Sequence, residues 1–217
     1  MLDCLEDHGP SQSMAPDVEM VELDGATVVL NSSNCRTFLN YSQNVFLPYI
    51  QSNLSISQRV DIVWDEYIQN SLKSHTRNSR GTGVRRRVES KSLVPRNWQS
   101  FLRVDENKSE LFGYLADQVM TINTAKLVIT TKGKDVLSLQ NYSTNMLSPC
   151  NHEEADSRIF VHIADAVYAG MEKGLSAYYR YRCCGAWQFQ WCLLFLWCRS
   201  LVMHNFGFGL ELVIIKD

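Results

Sequence analysis

The sequence predicts an α/β protein with a mainly parallel sheet flanked by helices. Three observations carry that expectation. Short apolar runs recur at residues 18–30, at Val60-Asp61-Ile62-Val63-Trp64 and at Leu127-Val128-Ile129-Thr130. Between them lie stretches whose apolar residues repeat at helical spacing. A third helical pattern follows the last run, over roughly residues 152–172. Strands alternating with helices build parallel sheets, because a parallel pair needs a crossover between its members.

In order along the chain, residues 1–17 hold Gly9, Pro10, Pro16, serines and acids, and read as a disordered leader. The 18–30 segment is strand-like but interrupted by Asp24-Gly25. Residues 36–52 carry Phe38, Tyr41, Val45 and Tyr49 at helical spacing, with Pro48 expected as a kink or stop. Val60–Trp64 is a buried-type strand that runs directly into Asp65. Residues 71–91 are polar and basic and predict a mobile loop or a frayed helix. One or two amphipathic helices are expected over 97–121, through Trp98, Phe101, Leu111, Phe112, Leu115 and Val119. Lys132-Gly133-Lys134 reads as a turn after the last strand. In the 152–172 helix, Ala155, Ile159, His162, Ile163 and Ala166 share a face.

Composition narrows the classes. A chain of 217 residues with 45% apolar and 20% charged residues is ordinary for one domain, or one domain and a tail. The net charge of -2 argues against a wholly basic nucleic-acid binder, though not against a local basic patch. Seven cysteines, an odd number with no CxxC pair, argue against a zinc site of paired cysteines, and Cys150-x-His152 has no second pair. Reduced thiols and an acidic N-terminal segment without an apolar run predict an intracellular protein, nuclear or cytoplasmic, that is not secreted. No Gly-rich phosphate loop, dinucleotide fingerprint or Ser-His-Asp order is visible.

Carboxylates concentrate where an apolar frame does not need them. Asp24 interrupts one strand, Asp65 ends another, and Glu153, Glu154 and Asp156 crowd the first turn of a helix. Acids at a helix start complement its dipole, so this last group has a purely structural reading. The collective reading is chemical. Phosphodiester hydrolysis at a two-metal site needs carboxylates from separate elements converging on Mg²⁺ or Mn²⁺, with cations nearby for phosphate.

Two segments resemble a known superfamily. Val63-Trp64-Asp65-Glu66-Tyr67, then Ser71-Leu72-Lys73-Ser74, Arg77 and Arg80, is similar to the flap-endonuclease pattern of strand, Phe-Asp-Gly, Leu-Lys and spaced arginines. Asn151-His152-Glu153-Glu154-Ala155-Asp156-Ser157-Arg158 is similar to that superfamily's Glu-Ala-Glu-Ala motif. The stretch from about 20 to 173 also resembles a group of uncharacterised eukaryotic, mobile-element-associated proteins with a His-Glu-Glu-Ala-Asp-Thr-Arg motif. Asp24-Gly25-Ala26, Asn44 through Ile50, and Pro95-Arg96-Asn97-Trp98 fit that group. The resemblance implies a PIN-like fold, an α/β sandwich around a parallel sheet. It implies Asp24, Asp65, Glu154 and Asp156 as ligands of Mg²⁺ or Mn²⁺, and Lys73 with Arg77 or Arg80 as contacts to the scissile phosphate. Glu66 stands where the pattern has Gly, and Asp156 where it has the longer Glu.

The composition breaks at Gly174. Residues 174–217 contain only Glu211 and Asp217 as acids, yet four of the seven Cys and three of the five Trp. The superfamily pattern expects a strand with Asp-x-Asp here. Tyr179 through Ala186 fits the codon string TAY CGN TAY CGN TGY TGY GGN GCN. Read one nucleotide later, that string permits Ile-Asp-Thr-Asp-Val-Val-Val. Residues 174–217 are therefore expected to be a foreign tail, a frameshift product appended to a partial PIN-like domain at 18–173. A membrane span over 186–203 is the competing reading, since the stretch is about 18 residues and apolar. Gln188, Gln190 and Arg199 interrupt it, and a central Arg costs about 2.5–3.5 kcal/mol, which disfavours the span. The expected function is that of an inactive fragment of a divalent-metal-dependent nuclease-like family. The alternatives are a non-enzymatic domain that binds nucleic acid or protein through Arg85, Arg86 and Arg87, and a membrane tether.

Overall fold

The computed structural model describes residues 18–29, 35–67, 83–181, 190–198, 201–206 and 209–213, the strands alone from 175 onward. The leader expected at 1–17 lies outside these residues. The order of elements is β1 (Met20–Asp24), α1 (Gly25–Val28), α2 (Phe38–Tyr41), a π turn (Ser42–Phe46), α3 (Leu47–Ile56), β2 (Arg59–Val63), α4 (Trp98–Leu102), α5 (Asp105–Val119), β3 (Leu127–Lys132), β4 (Asp135–Ser138), α6 (Ala155–Tyr168), β5 (Lys173–Tyr181), β6 (Gln190–Cys198), β7 (Leu201–Phe206) and β8 (Gly209–Val213). One sheet runs β4-β3-β2-β1-β5-β6-β7-β8. β3, β2, β1 and β5 are mutually parallel, and β4 and β6 pair antiparallel to them. The architecture is thus mixed α/β with a largely parallel central sheet, as the alternating pattern predicts.

The alternation of side chains across β1 and β2 sorts two different interiors. Val21, Leu23, Val60, Ile62 and Trp64 face one way, into a core with Phe38, Tyr41, Phe46, Phe101, Leu111, Phe112 and Leu115 from α2 to α5. Met20 and Val63 face the other way, onto Ala166, and onto Ala155 and Ile159, of α6. Trp64 anchors the first interior. Its ring stacks on Phe112 with centroids 4.7 Å apart, and its Nε1–H donates to Thr130 Oγ1 at 3.0 Å. Gly25 sits so close under this ring that a Cβ there would lie 2.2 Å from Trp64 Cε3. Only glycine lets the chain turn from β1 into α1 at that point.

Several local expectations are corrected. Asp24 is the last residue of β1 rather than an interruption, because Gly25 opens a helix immediately. Pro48 neither stops nor breaks its helix. It sits in the first turn of α3, just after the π turn, which gives the chain the extra residue needed where proline has no N–H to donate. The Leu127 strand extends to Lys132 and pairs back on β4 through a turn with Gly133 at φ 59°. The composition break at Gly174 falls one residue into β5, where Met20 pairs with Gly174 and Leu23 with Ala177. No helix among the described residues is long and apolar enough to cross a membrane. The described part of 186–203 lies in β6 and β7.

Candidate functional site

β1 and β2 are adjacent and parallel, with Asp24 opposite Val63, so their carboxyl ends bring Asp24 and Asp65 to one rim of the sheet. In open parallel sheets that rim is where ligand crevices form. α6 begins at the same rim. The Ala155 N–H donates to Asp65 Oδ1 at 2.7 Å, and the Glu66 N–H donates to the Glu153 carbonyl at 2.8 Å. Glu154 is the N-cap of α6 and Asp156 lies in its first turn. Glu153 and Glu154 therefore precede the helix, whereas the sequence suggested all three acids inside its first turn.

The structure gathers the four predicted carboxylates into one electrostatic neighbourhood. Burial raises the pKa of Asp24 well above its ordinary 3.8. The charge of Asp65 adds to the rise, the Ala26 N–H opposes it, and Asp156 adds further. Burial also raises the pKa of Asp65. Its hydrogen bond from Ala155 opposes, Glu154 and Asp156 push further up, and Lys108 pulls down. Each aspartate also has a structural duty. Asp24 Oδ1 accepts the Ala26 N–H at 2.8 Å and caps α1, while Asp65 caps α6 from another element. Neither duty needs a carboxylate rather than an amide, and the two hydrogen bonds only partly oppose the burial and repulsion that raise the pKa values.

Oxygen donors of this kind suit Mg²⁺ or Mn²⁺, and a cation here would relieve the repulsion that the raised pKa values record. The spacing is looser than a finished centre. Among the described residues, no group of three or more His, Cys, Asp or Glu side chains is positioned to hold a metal ion. The electrostatic coupling acts over a longer range than ligation, so a neighbourhood of acids and the lack of a closed ligand set are compatible.

Two residues at the rim escaped the sequence reading. Tyr67 Oη donates to Asp65 Oδ2 at 3.4 Å. Lys108 of α5 holds its Nζ 4.0 Å from the centroid of the Tyr67 ring and pairs with Asp105 at 2.9 Å. Lys108 is thus a cation that acts on Asp65 from across the other helical layer. Nothing local flags it, since it reads as an ordinary solvated position of an amphipathic helix.

The predicted phosphate contacts Lys73, Arg77 and Arg80 lie outside the described residues. Arg85, Arg86 and Arg87 are described, and for the part of the 71–91 segment from residue 83 on they replace the expected mobile loop or frayed helix; 71–82 lie outside the described residues. The segment is extended and clamped against α5. The Arg86 N–H donates to Asn107 Oδ1 at 2.8 Å, and Asn107 Nδ2 donates to the Val84 and Phe101 carbonyls at 3.0 Å each. Arg85 pairs with Glu110, whose second oxygen accepts the Val88 N–H at 3.0 Å. Gly83 allows this approach, because a Cβ would meet the Ser100 carbonyl at 2.6 Å.

Under α6, deeper than the acid rim, lies a second charge group. Arg59 Nε and Nη2 donate to Asp61 Oδ1 and Oδ2 at 2.8 and 2.7 Å, and Nη1 pairs with Asp165 Oδ2 at 2.8 Å. His162 Nδ1 lies 2.6 Å from Asp61 Oδ2, and Tyr142 Oη donates to Asp165 Oδ2 at 2.8 Å. Burial alone would raise the pKa of Asp61, but Arg59 and then His162 hold it below the ordinary value. No protein-family model, curated protein or solved structure matches this chain.

Proposed function

We propose that this chain carries a PIN-like, nuclease-type domain that binds a divalent cation weakly and does not cleave nucleic acid efficiently. The observation that carries the reading is the rim of four carboxylates on β1, β2 and α6, with Asp24 and Asp65 destabilised as anions by burial and by their acidic neighbours. Asp24, Asp65, Glu154 and Asp156 would hold Mg²⁺ or Mn²⁺. The metal would supply charge stabilisation and an activated water for phosphodiester hydrolysis. The chain's own part is to hold the acids at the rim, through the α1 and α6 caps, and to modulate Asp65 through Lys108.

Among the described residues these acids do not close into a ligand set, so tight binding is not expected. Position also supports the frameshift reading of residues 174–217. β5 runs parallel beside β1 with Leu23 opposite Ala177. The shifted codons that permit two Asp correspond to Arg180, three residues past Ala177 in β5, and to Arg182, which lies outside the described residues. Transcript sequencing across codons 170–180 tests this. The present frame recovered from independent transcripts and related loci would overturn it.

The function is tested by titrating Mg²⁺ or Mn²⁺ onto the chain and onto Asp65→Asn, which retains a cap acceptor for Ala155. Saturable binding that Asp65→Asn weakens supports the reading, and equal behaviour of the two proteins sinks it. A nuclease assay is expected to show no robust activity. Mg²⁺-dependent cleavage lost in Asp65→Ala would overturn the assignment as inactive. A second reading, nucleic-acid binding through the basic strap, rests on its clamped geometry and on the exposure of Arg86 and Arg87. It predicts salt-dependent binding that weakens when both are neutralised.

A further inference from the structure

Two arginines are buried on the α6 side of the sheet, and their environments differ at the same atoms. Arg59 is 0% exposed and its Nε–Nη2 edge is filled by the two oxygens of Asp61. Arg158 is 1% exposed, and its Nη1 donates to the Trp64 carbonyl at 3.1 Å. Among the described residues, its Nε and Nη2 have no hydrogen-bond partner. These two groups form the planar fork with which a guanidinium grips two oxygens of one carboxylate or phosphate. Buried guanidinium N–H groups left without an acceptor are unfavourable, so this edge calls for oxygen acceptors.

The surroundings define which side of the molecule the anion would occupy. Trp64 immediately precedes Asp65, and the Arg158 N–H bonds to the Glu154 carbonyl at 3.2 Å. Side chains on a helix lean toward its N-terminus, so Arg158 leans toward the turn that carries Glu154 and Asp156. That turn and the facing strand end, with Asp65, Glu66 and Ser157, are half-buried, in contrast to the enclosed guanidinium.

We propose that Arg158 is an oxyanion receptor whose Nε–Nη2 edge takes two oxygens of a phosphate group adjoining the carboxylate rim. The unpartnered edge by itself identifies a pair of oxygen acceptors. The choice of phosphate rests on the metal-binding reading above, since a phosphate can give two oxygens to the arginine and a further oxygen to a cation on the acids, whereas a carboxylate has only two. The site assigns to Arg158 a duty that neither the acid rim nor the basic strap performs.

The test titrates inorganic phosphate onto the full chain, read by thermal shift and by ³¹P line broadening, once with EDTA and once with Mg²⁺. Arg158→Lys keeps the charge but loses the fork, and Arg158→Met removes the unpaired charge and is expected to fold at least as stably. Phosphate is expected to bind the wild type saturably in both conditions, more tightly with Mg²⁺, and to lose at least ten-fold in affinity in both variants. Acetate is expected to bind far more weakly. Wild-type phosphate affinity retained in both variants, or no saturable binding in either condition, overturns the proposal. Arg158-dependent binding in EDTA with no effect of Mg²⁺ would leave the anion site standing and remove the metal reading, while Mg²⁺ binding without phosphate binding would do the reverse. Competition by a short single-stranded oligonucleotide distinguishes a phosphodiester from free phosphate as the anion held.

Discussion

The α6 face of the sheet carries two groups of buried charge, and they are balanced in opposite ways. In the inner group, Asp61 faces Arg59 and His162, and Asp165 faces Arg59 and Tyr142. At the rim, Asp24 and Asp65 repel one another and are repelled by the acids at the start of α6, with Lys108 opposing at Asp65. Burial does not separate the groups, since Asp61 is 0% exposed and Asp24 only 6%. Partnering does. The inner acid is pulled below its ordinary pKa and the rim acids are pushed above theirs. A fold stabilises itself with the first arrangement. The second leaves charge that a ligand can satisfy, which is why strained titrations concentrate at functional sites.

The contrast breaks most visibly at Asp61. Asp61→Ala leaves Arg59 and His162 buried without their carboxylate, and is expected to cost about 3–5 kcal/mol in urea unfolding. A loss under about 1 kcal/mol, the scale of an exposed pair, would show that the inner network is not a structural requirement. Next comes pH. A carboxylate whose folded pKa is raised destabilises the fold fully above that pKa, and the penalty disappears as pH falls toward the unfolded value. Asp24 and Asp65 should therefore make the protein gain stability on acidification from neutral pH toward about 4. Asp61 has the opposite sign, and its contribution is lost only below its ordinary 3.8, as pH falls through its lowered folded value. Asp24→Asn is expected to raise stability to urea at pH 7, because the amide keeps an acceptor for the Ala26 N–H without the buried charge. With Asp65→Asn it should flatten the gain on acidification, and an unchanged pH profile in the double variant would refute the rim's repulsion.

Divalent metal sharpens the same comparison at a smaller scale. At ten-fold excess over its dissociation constant, Mg²⁺ is expected to stabilise the wild type by about 1.4 kcal/mol. The increment should shrink in Asp65→Asn and survive conservative changes in the inner group such as Tyr142→Phe. The smallest effect is that of Lys108→Met. Removing this cation should move the Asp65 titration seen by NMR upward, and no movement would eliminate Lys108 as a partner of the rim.

How much of this is legible in the sequence depends on range. The parallel-sheet class follows from periodicity, and the terminal position of Asp65 follows from an apolar run that ends in an acid. α4, α5 and α6 are announced by their apolar stripes. The β3–β4 hairpin is missed because Val136 and Leu137 give too short an apolar signal after the Gly133 turn. The clamped strap at Val84–Val88 is missed because its order comes from Asn107 and Glu110, some twenty residues on. At the site, Asp24 and Asp65 can be singled out by position, but their coupling to α6 bridges about ninety residues. The inner network leaves a faint trace, Arg59 and Asp61 two apart on a strand, which puts both on one face. What it cannot show locally is that His162 and Asp165 will meet them from a helix a hundred residues later.

β1 lies between β2 and β5, and its second edge is closed by residues that follow everything else in the central sheet. Closing so long a loop adds little to the equilibrium cost, because each doubling of length adds only about 0.6 kcal/mol. The burden is kinetic. Until Lys173–Ala177 has left the ribosome, the strand that ends in Asp24 can be paired on one side only, and its row of unpaired backbone groups is open to other chains. Synthesis of this protein is therefore expected to pass through a long interval in which its central strand needs a chaperone more than its finished form does.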